Sequence, residues 1–398
     1  MNMNPDRYPE HVSMILLSQR DRGGFCFLFI LLVTGLFFLV ISPQQGHSQA
    51  FSNAKYGSDF LQAGVGARAL SMGGSQTAIS QDASSIFWNP AGLMLLRHPD
   101  LLLMHSERFA GTVAYDFAGI AIPLHNDPSS IPAAVVGFGF IRQGVDGIQN
   151  TLNAWDPERN RPREDAASFI EEFNVSDLAM YLSYAQPLIR YHEKSGNIHG
   201  ELMAGASLKV IHHRLGPFAN AWGYGLDVGL QARKSNWLLG VQITDLLPMI
   251  KFWTVDEKEL AALASDYGDV IPSGKNEKVL PAVRIGAARK IALSDLSLLL
   301  SSDLQFRAEN RQAYFLNAGR VSMEPHFGVE GSYKEIVTIR IGLTDLIQPD
   351  GERISMTPAV GTGFRLGNLR VDYGFTDFTG YASDLGVTHR ISVGYEFR

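Results

Sequence analysis

The sequence predicts an all-β fold: a 14-stranded antiparallel transmembrane β-barrel with a small N-terminal hatch in its lumen. Three observations predict it. Past Pro99 the chain breaks into segments of about ten residues with apolar side chains at alternate positions. Its 39 glycines are more than a helical protein tolerates. The stretch Gly57 to Leu93 is rich in Gly and Ala, nearly uncharged and without alternation, as suits a plug that a barrel encloses.

Taken in order, the chain opens with an apolar run, Phe25 to Ile41, preceded by Arg20 and Arg22 and followed by Ser48-Gln49-Ala50. A positive start, an apolar core and small residues at the end make a secretory signal, with cleavage expected after Ala50. Met14 is an alternative start that would give the signal a more usual length. The expected domains are the signal peptide 1–50, the hatch 51–98 and the barrel 99–398. Cys26, the only cysteine, leaves with the signal, so the mature chain offers no disulfide, thiolate metal site or cysteine nucleophile. With 34 basic and 40 acidic side chains, a net charge of −6 gives no reason to expect nucleic acid.

Fifteen segments qualify as strands: 101–108, 112–124, 132–143, 176–190, 199–213, 222–233, 236–245, 279–290, 295–305, 312–320, 325–332, 336–344, 355–366, 368–377 and 387–397. Trp222, Tyr224, Leu226, Val228 and Leu230, for example, alternate with Gly223, Gly225, Asp227, Gly229 and Gln231. The polar phase combines Gly with single charges, which fits a plugged lumen. Aromatics gather at segment ends (Trp222, Tyr224, Trp237, Tyr373, Phe375, Tyr395, Phe397), as membrane girdles do. Bacterial single-chain barrels use an even number of strands, so the weakest segment, 312–320, is dropped. Long connections then fall on one side, at 143–175, 213–221, 246–278, 306–324, 345–354 and 378–386. Short links such as Lys234-Ser235 and Gly367 fall on the other.

Two of the long connections have content. Residues 153–173 carry mixed charge and read as a solvated surface loop. The second opens with an apolar cluster, including Leu247, Ile250, Phe252 and Trp253, expected to pack on the rim or to dock a partner or ligand. Thr254 to Glu257 resembles a capping box ahead of a short helix.

Chemistry-bearing constellations are few. Gly64-Val65-Gly66 and Gly361-Thr362-Gly363 lack the strand–loop–helix setting of nucleotide loops. His212 and His213 are neighbours on a strand and point to opposite faces, so they cannot share a metal. Ser392 and His389 likewise lie on opposite faces, and no nucleophile-elbow motif occurs. No catalytic residue, metal or cofactor is expected. In the hatch, Asn89-Pro90-Ala91 predicts a turn, Gly73-Gly74 a close backbone approach or positive φ, and Arg68 with Asp82 either a lumenal ion pair or two separate contacts with polar residues of the barrel wall.

The runs Gly66-Ala67-Arg68-Ala69-Leu70-Ser71-Met72-Gly73-Gly74 and Asp82-Ala83-Ser84-Ser85-Ile86-Phe87-Trp88-Asn89-Pro90-Ala91-Gly92-Leu93 closely resemble the N-terminal signature of the PorV/PorQ family. More remotely the chain is similar to FadL-type fatty-acid transporters, which share an Asn-Pro-Ala hatch motif. The resemblance implies a 14-stranded barrel in the bacterial outer membrane, in contact with its lipid. On the PorV side it implies the leading reading, a non-enzymatic part in type IX secretion with the outer loops and rim as docking surface, and with secretion components and C-terminal signal domains of exported proteins as partners. On the FadL side it implies passage of hydrophobic small molecules past a hatch. The chain ends Phe397-Arg398, whereas barrel-assembly signals usually end on the aromatic itself.

Overall fold

The computed structural model describes residues 51–53, 59–125, 132–156, 158–192, 198–260, 276–308, 315–318, 321–347, 355–377 and 387–398. The expected signal peptide lies outside the described residues. Fourteen antiparallel strands close into a barrel. They are β1 (Asp100–Arg108), β2 (Val113–Leu124), β3 (Ala134–Asn150), β4 (Glu171–His192), β5 (Ile198–Leu215) and β6 (Ala219–Lys234). Next come β7 (Trp237–Thr244, resuming at Met249–Val255), β8 (Asn276–Val279, resuming at Ala282–Leu293), β9 (Leu296–Arg307) and β10 (Val321–Tyr333). The last four are β11 (Val337–Ile347), β12 (Ser355–Leu366), β13 (Leu369–Asp377) and β14 (Val387–Glu396). Each pairs with its neighbour in sequence, and β14 returns to β1 with Glu396 opposite Asp100. Closure leaves no edge between the first and last strands, as a lipid surround requires.

The parity argument selects the right strands. Among the described residues of 312–320, Leu316–Ala318 pairs as a short addition to β10. Alternation sorts the faces as expected. On β6, Trp222 and Tyr224 are exposed while Ala221, Gly223, Asp227, Gly229 and Gln231 are buried. The short links turn through positive φ at Ser235, Ser294, Lys334 and Glu335, and at Gly367, the twist that tight hairpins need.

Two connections differ from expectation. The stretch 143–175 begins and ends in strand, since β3 continues to Asn150 and β4 starts at Glu171. Both faces of this extension meet water, so it carries no apolar alternation to announce it. The stretch 246–278 is not a loop at its start, because β7 resumes at Met249 and pairs with β6 from Ile250 to Val255. There both phases are largely apolar, which hides the strand period. The predicted cap shifts from Thr254 to Asp256, whose carboxylate accepts the Lys258 and Glu259 N–H groups. The expected short helix, at Leu260 to Ala264, lies beyond Leu260 outside the described residues.

Candidate functional site

The hatch fills the lumen. It carries three short helices, α1 (Asp59–Gln62), α2 (Ala67–Ser71) and α3 (Ser85–Trp88), and a 3-10 turn at Pro90–Leu95. Most of its backbone is irregular, and irregular backbone inside a barrel needs hydrogen-bond partners from the wall. The inward-facing polar side chains supply them. Asp303 on β9 accepts both the Thr77 N–H, at 2.9 Å, and its hydroxyl, at 2.7 Å. Ser392 accepts the Ala67 N–H, Ser301 donates to Ser75 O, and Gln231 donates to Ala78 O. Farther along the hatch, Ser207 donates to Ile86 O and Gln242 to Phe87 O. Arg390 donates to the carbonyls of Ala63 and Gly64 just after α1.

The glycines of the polar phase have a matching explanation. A Cβ built on Gly342 would collide with the backbone of Met72 and Gly73, and one on Gly205 with the backbone of Pro90 and Ala91. Wall and plug therefore touch backbone to backbone. Wall glycine is what allows it.

The hatch motif is a brace within this packing. Asn89 is fully buried; its amide donates to Thr77 O at 2.8 Å and Leu230 O at 3.0 Å, and its oxygen accepts the Ala91 N–H at 3.2 Å. One side chain thus ties both halves of the hatch to β6. Pro90 opens the 3-10 turn, where its missing N–H is not needed. Gly73 and Gly74 have φ of 61° and 78°, and Gly73 lies against the backbone of Leu343.

Arg68 and Asp82 do not pair with each other. Arg68 forms a two-pronged bond to Glu330, at 2.8 and 3.1 Å, and Glu330 also meets Arg340, which reaches Asp372. Burial opposes the Arg68 charge, but the Glu330 carboxylate, helped by Asp82 and Asp372, raises its pKa. Asp82 accepts from Ser84 instead. Burial pushes its carboxyl upward, yet the attraction of Arg370, the Ser84 hydrogen bonds and Arg68 hold it below the ordinary carboxylate range. Neither wall partner was visible beforehand, because both are single charges in strands distant in sequence.

The apolar side of the lumen is a packed cluster. Ile86, Trp88, Leu93 and Met94 of the hatch meet Tyr115, Phe117, Ile141, Tyr181, Met203 and Ile211 of the wall. Met249 and Val279 belong to the same cluster. They mark a break in the barrel. Below it β7 and β8 pair up to Thr244 opposite Ala282; above it pairing resumes at Met249 opposite Val279. The intervening Asp245 to Pro248 and Leu280-Pro281 make no ladder pairs with each other. Asp245 adopts positive φ, and Pro248 and Pro281 lack the N–H a ladder requires.

This geometry divides the expected docking residues. Leu247 lies in the break and is 66% exposed. Phe252 is exposed on the outer face opposite Trp222, and Ile250 shares that face. Trp253 points inward, its ring stacked on His213 at 6.0 Å. Neighbours on a strand face opposite ways, so Phe252 and Trp253 cannot form one docking surface. The paired histidines separate likewise: His213 binds Asp177 inside, while His212 packs on Trp222 outside.

No family model matches this chain, and no curated protein does. Solved structures do resemble it. The toluene transporter TodX of Pseudomonas putida is similar over 84% of this chain and 99% of its own, at 13% identity and a TM-score of 0.49. A FadL homologue of Pseudomonas aeruginosa is 12% identical over 84% of this chain and 98% of its own, with a TM-score of 0.48. The Ralstonia pickettii toluene transporter TbuX is 13% identical over 85% and 100%, at 0.46.

Proposed function

We propose that the protein passes hydrophobic small molecules through the outer membrane, a FadL-like role without a catalytic step. The observation that carries this reading is the lumenal apolar cluster, which reaches from Trp88 and Leu93 of the hatch to Met249 and Val279 beside the break in the wall. A pore for hydrophilic solutes would line its passage with polar groups instead. A packed apolar cluster beside a gap in the strand ladder suits a solute that prefers lipid to water.

The secretion role implied by the PorV/PorQ resemblance counts Phe252 and Trp253 among its candidate contact residues. Those side chains are split between the lipid face and the lumen, so that role keeps the resemblance alone as support.

One comparison tests the reading. A deletion strain and its parent are compared for uptake of the hydrophobic dye N-phenylnaphthylamine, of a long-chain fatty acid and of a hydrophilic sugar, and for their secreted proteins. Slower uptake of a hydrophobic compound with unchanged sugar uptake and secretome is expected. Normal uptake together with periplasmic build-up of exported proteins would instead establish the secretion role.

A further inference from the structure

Inside the wall, at the level of the break, lies an ion cluster to which no described residue of the hatch makes a hydrogen bond. Lys209 on β5 places its ammonium 2.9 Å from Asp227 on β6 and 2.9 Å from Asp245, the first residue of the break. Lys209 and Asp227 are 3% exposed and Asp245 is 9% exposed. The Asp245 N–H also donates to Asp227 at 2.8 Å, and Leu246 N–H donates to Leu226 O at 2.8 Å. Space for the cluster is built into β6: a Cβ on Gly225 would stand 2.5 Å from the Asp245 carboxylate and 2.6 Å from the Lys209 stem.

A buried ion cluster is an expensive way to stabilise a wall, since apolar side chains of similar volume do as well or better. It is, however, directional. Removing one member leaves uncompensated charge that favours water, so the segment bearing Asp245 gains a reason to leave the interior. Asp245 is also the hinge residue, in positive φ, between the part of β7 paired with β8 and Leu246 to Pro248, which make no ladder pairs with β8. The ammonium thus bridges the continuous part of the wall, β5 and β6, to the discontinuous part.

We propose that Lys209 is a positioning residue for passage: through Asp227 and Asp245 it latches the broken segment of β7 against β6 and sets how often that gap opens. The latch rests on the passage reading above, because a gap matters only if something crosses it.

The test uses full-length mature protein in phospholipid vesicles, with amide hydrogen exchange read across residues 244–250 and N-phenylnaphthylamine uptake read in parallel. Lys209→Met is expected to speed exchange in that segment about tenfold or more, leaving β1 to β4 and β9 to β14 unchanged. Lys209→Arg, which keeps the charge, should restore slow exchange. Asp245→Asn provides a milder variant should Lys209→Met fail to assemble, and should speed exchange in the same segment. Unchanged exchange in an assembled variant, or faster exchange across every strand, overturns the latch. Local opening with altered dye uptake supports latch and passage together. Local opening with unaltered uptake keeps the latch and overturns the passage reading.

Discussion

The two halves of the hatch adhere to the same barrel by different means. Residues 67–80 face β6 to β14 and are held at their backbone by Asp303, Ser301, Gln231 and Ser392, and through the Arg68–Glu330 side-chain pair. Residues 83–96 face β1 to β7 and add to the hydrogen bonds from Asp100, Ser207 and Gln242 the apolar packing of Ile86, Trp88, Leu93 and Met94. Hydrogen bonds depend on angle and distance, so they hold the first half in one place; apolar contact is non-directional and tolerates sliding. The lesson is that a plug can be anchored on one side and compliant on the other. The compliant side is the one that reaches the break in the wall.

The largest expected effect tests whether both halves need backbone contact with the wall. Gly342→Val forces a side chain into the backbone of Met72 and Gly73, and should cost more than about 3 kcal/mol or prevent assembly. Loss of the compact, heat-modifiable gel band would show it. Gly331, with open space around its Cβ position, is the control and should accept Val within about 0.5 kcal/mol.

Next in size is the anchored half. Asp303→Ala leaves two Thr77 donors without their acceptor and should cost about 3 kcal/mol in urea unfolding. The compliant half should lose somewhat less. Ile86→Ala removes buried apolar volume, and partial collapse of the surroundings should limit its cost to about 2 kcal/mol. If Ile86→Ala proves much the costlier of the two, the division into anchored and compliant halves is wrong.

The smallest effect is a pH dependence. Asp82 has a depressed pKa in the folded protein, so its contribution is present above the unfolded value and fades as pH falls through the folded one. Thermal stability should therefore be level near neutrality and drop in acid, below about pH 4. Asp82→Asn should flatten that acid limb. An identical acid limb in the variant would remove Asp82 from the account.

Much of this was legible from the chain alone. Alternation on β6, β11, β13 and β14 separates lipid-facing from lumenal residues, because a strand's period of two needs no tertiary information. The Asn89-Pro90-Ala91 motif marked the brace, and Gly73-Gly74 marked a close approach. The continuation of β7 beyond Thr244 was hidden, since Met249 to Trp253 is apolar on nearly every face. The Arg68 partner was hidden for a related reason: Asp82 is the one other charge between Asp59 and Arg97, whereas Glu330, the actual partner, is distant in sequence.

By itself, then, the sequence determined the strands, their parity, the two faces of each and the presence of a plug. Those properties are local, set by side-chain period, turn chemistry and the demand that backbone in lipid be paired. Only the tertiary structure decided which wall residue meets which hatch atom. Thr77 and Asp303 lie 226 residues apart, and they meet because strand order, register and closure bring β9 to that point on the plug. The broken β7–β8 pair and its Lys209 latch are decisions of the same kind. Three strands must be in register before one ammonium can reach two carboxylates.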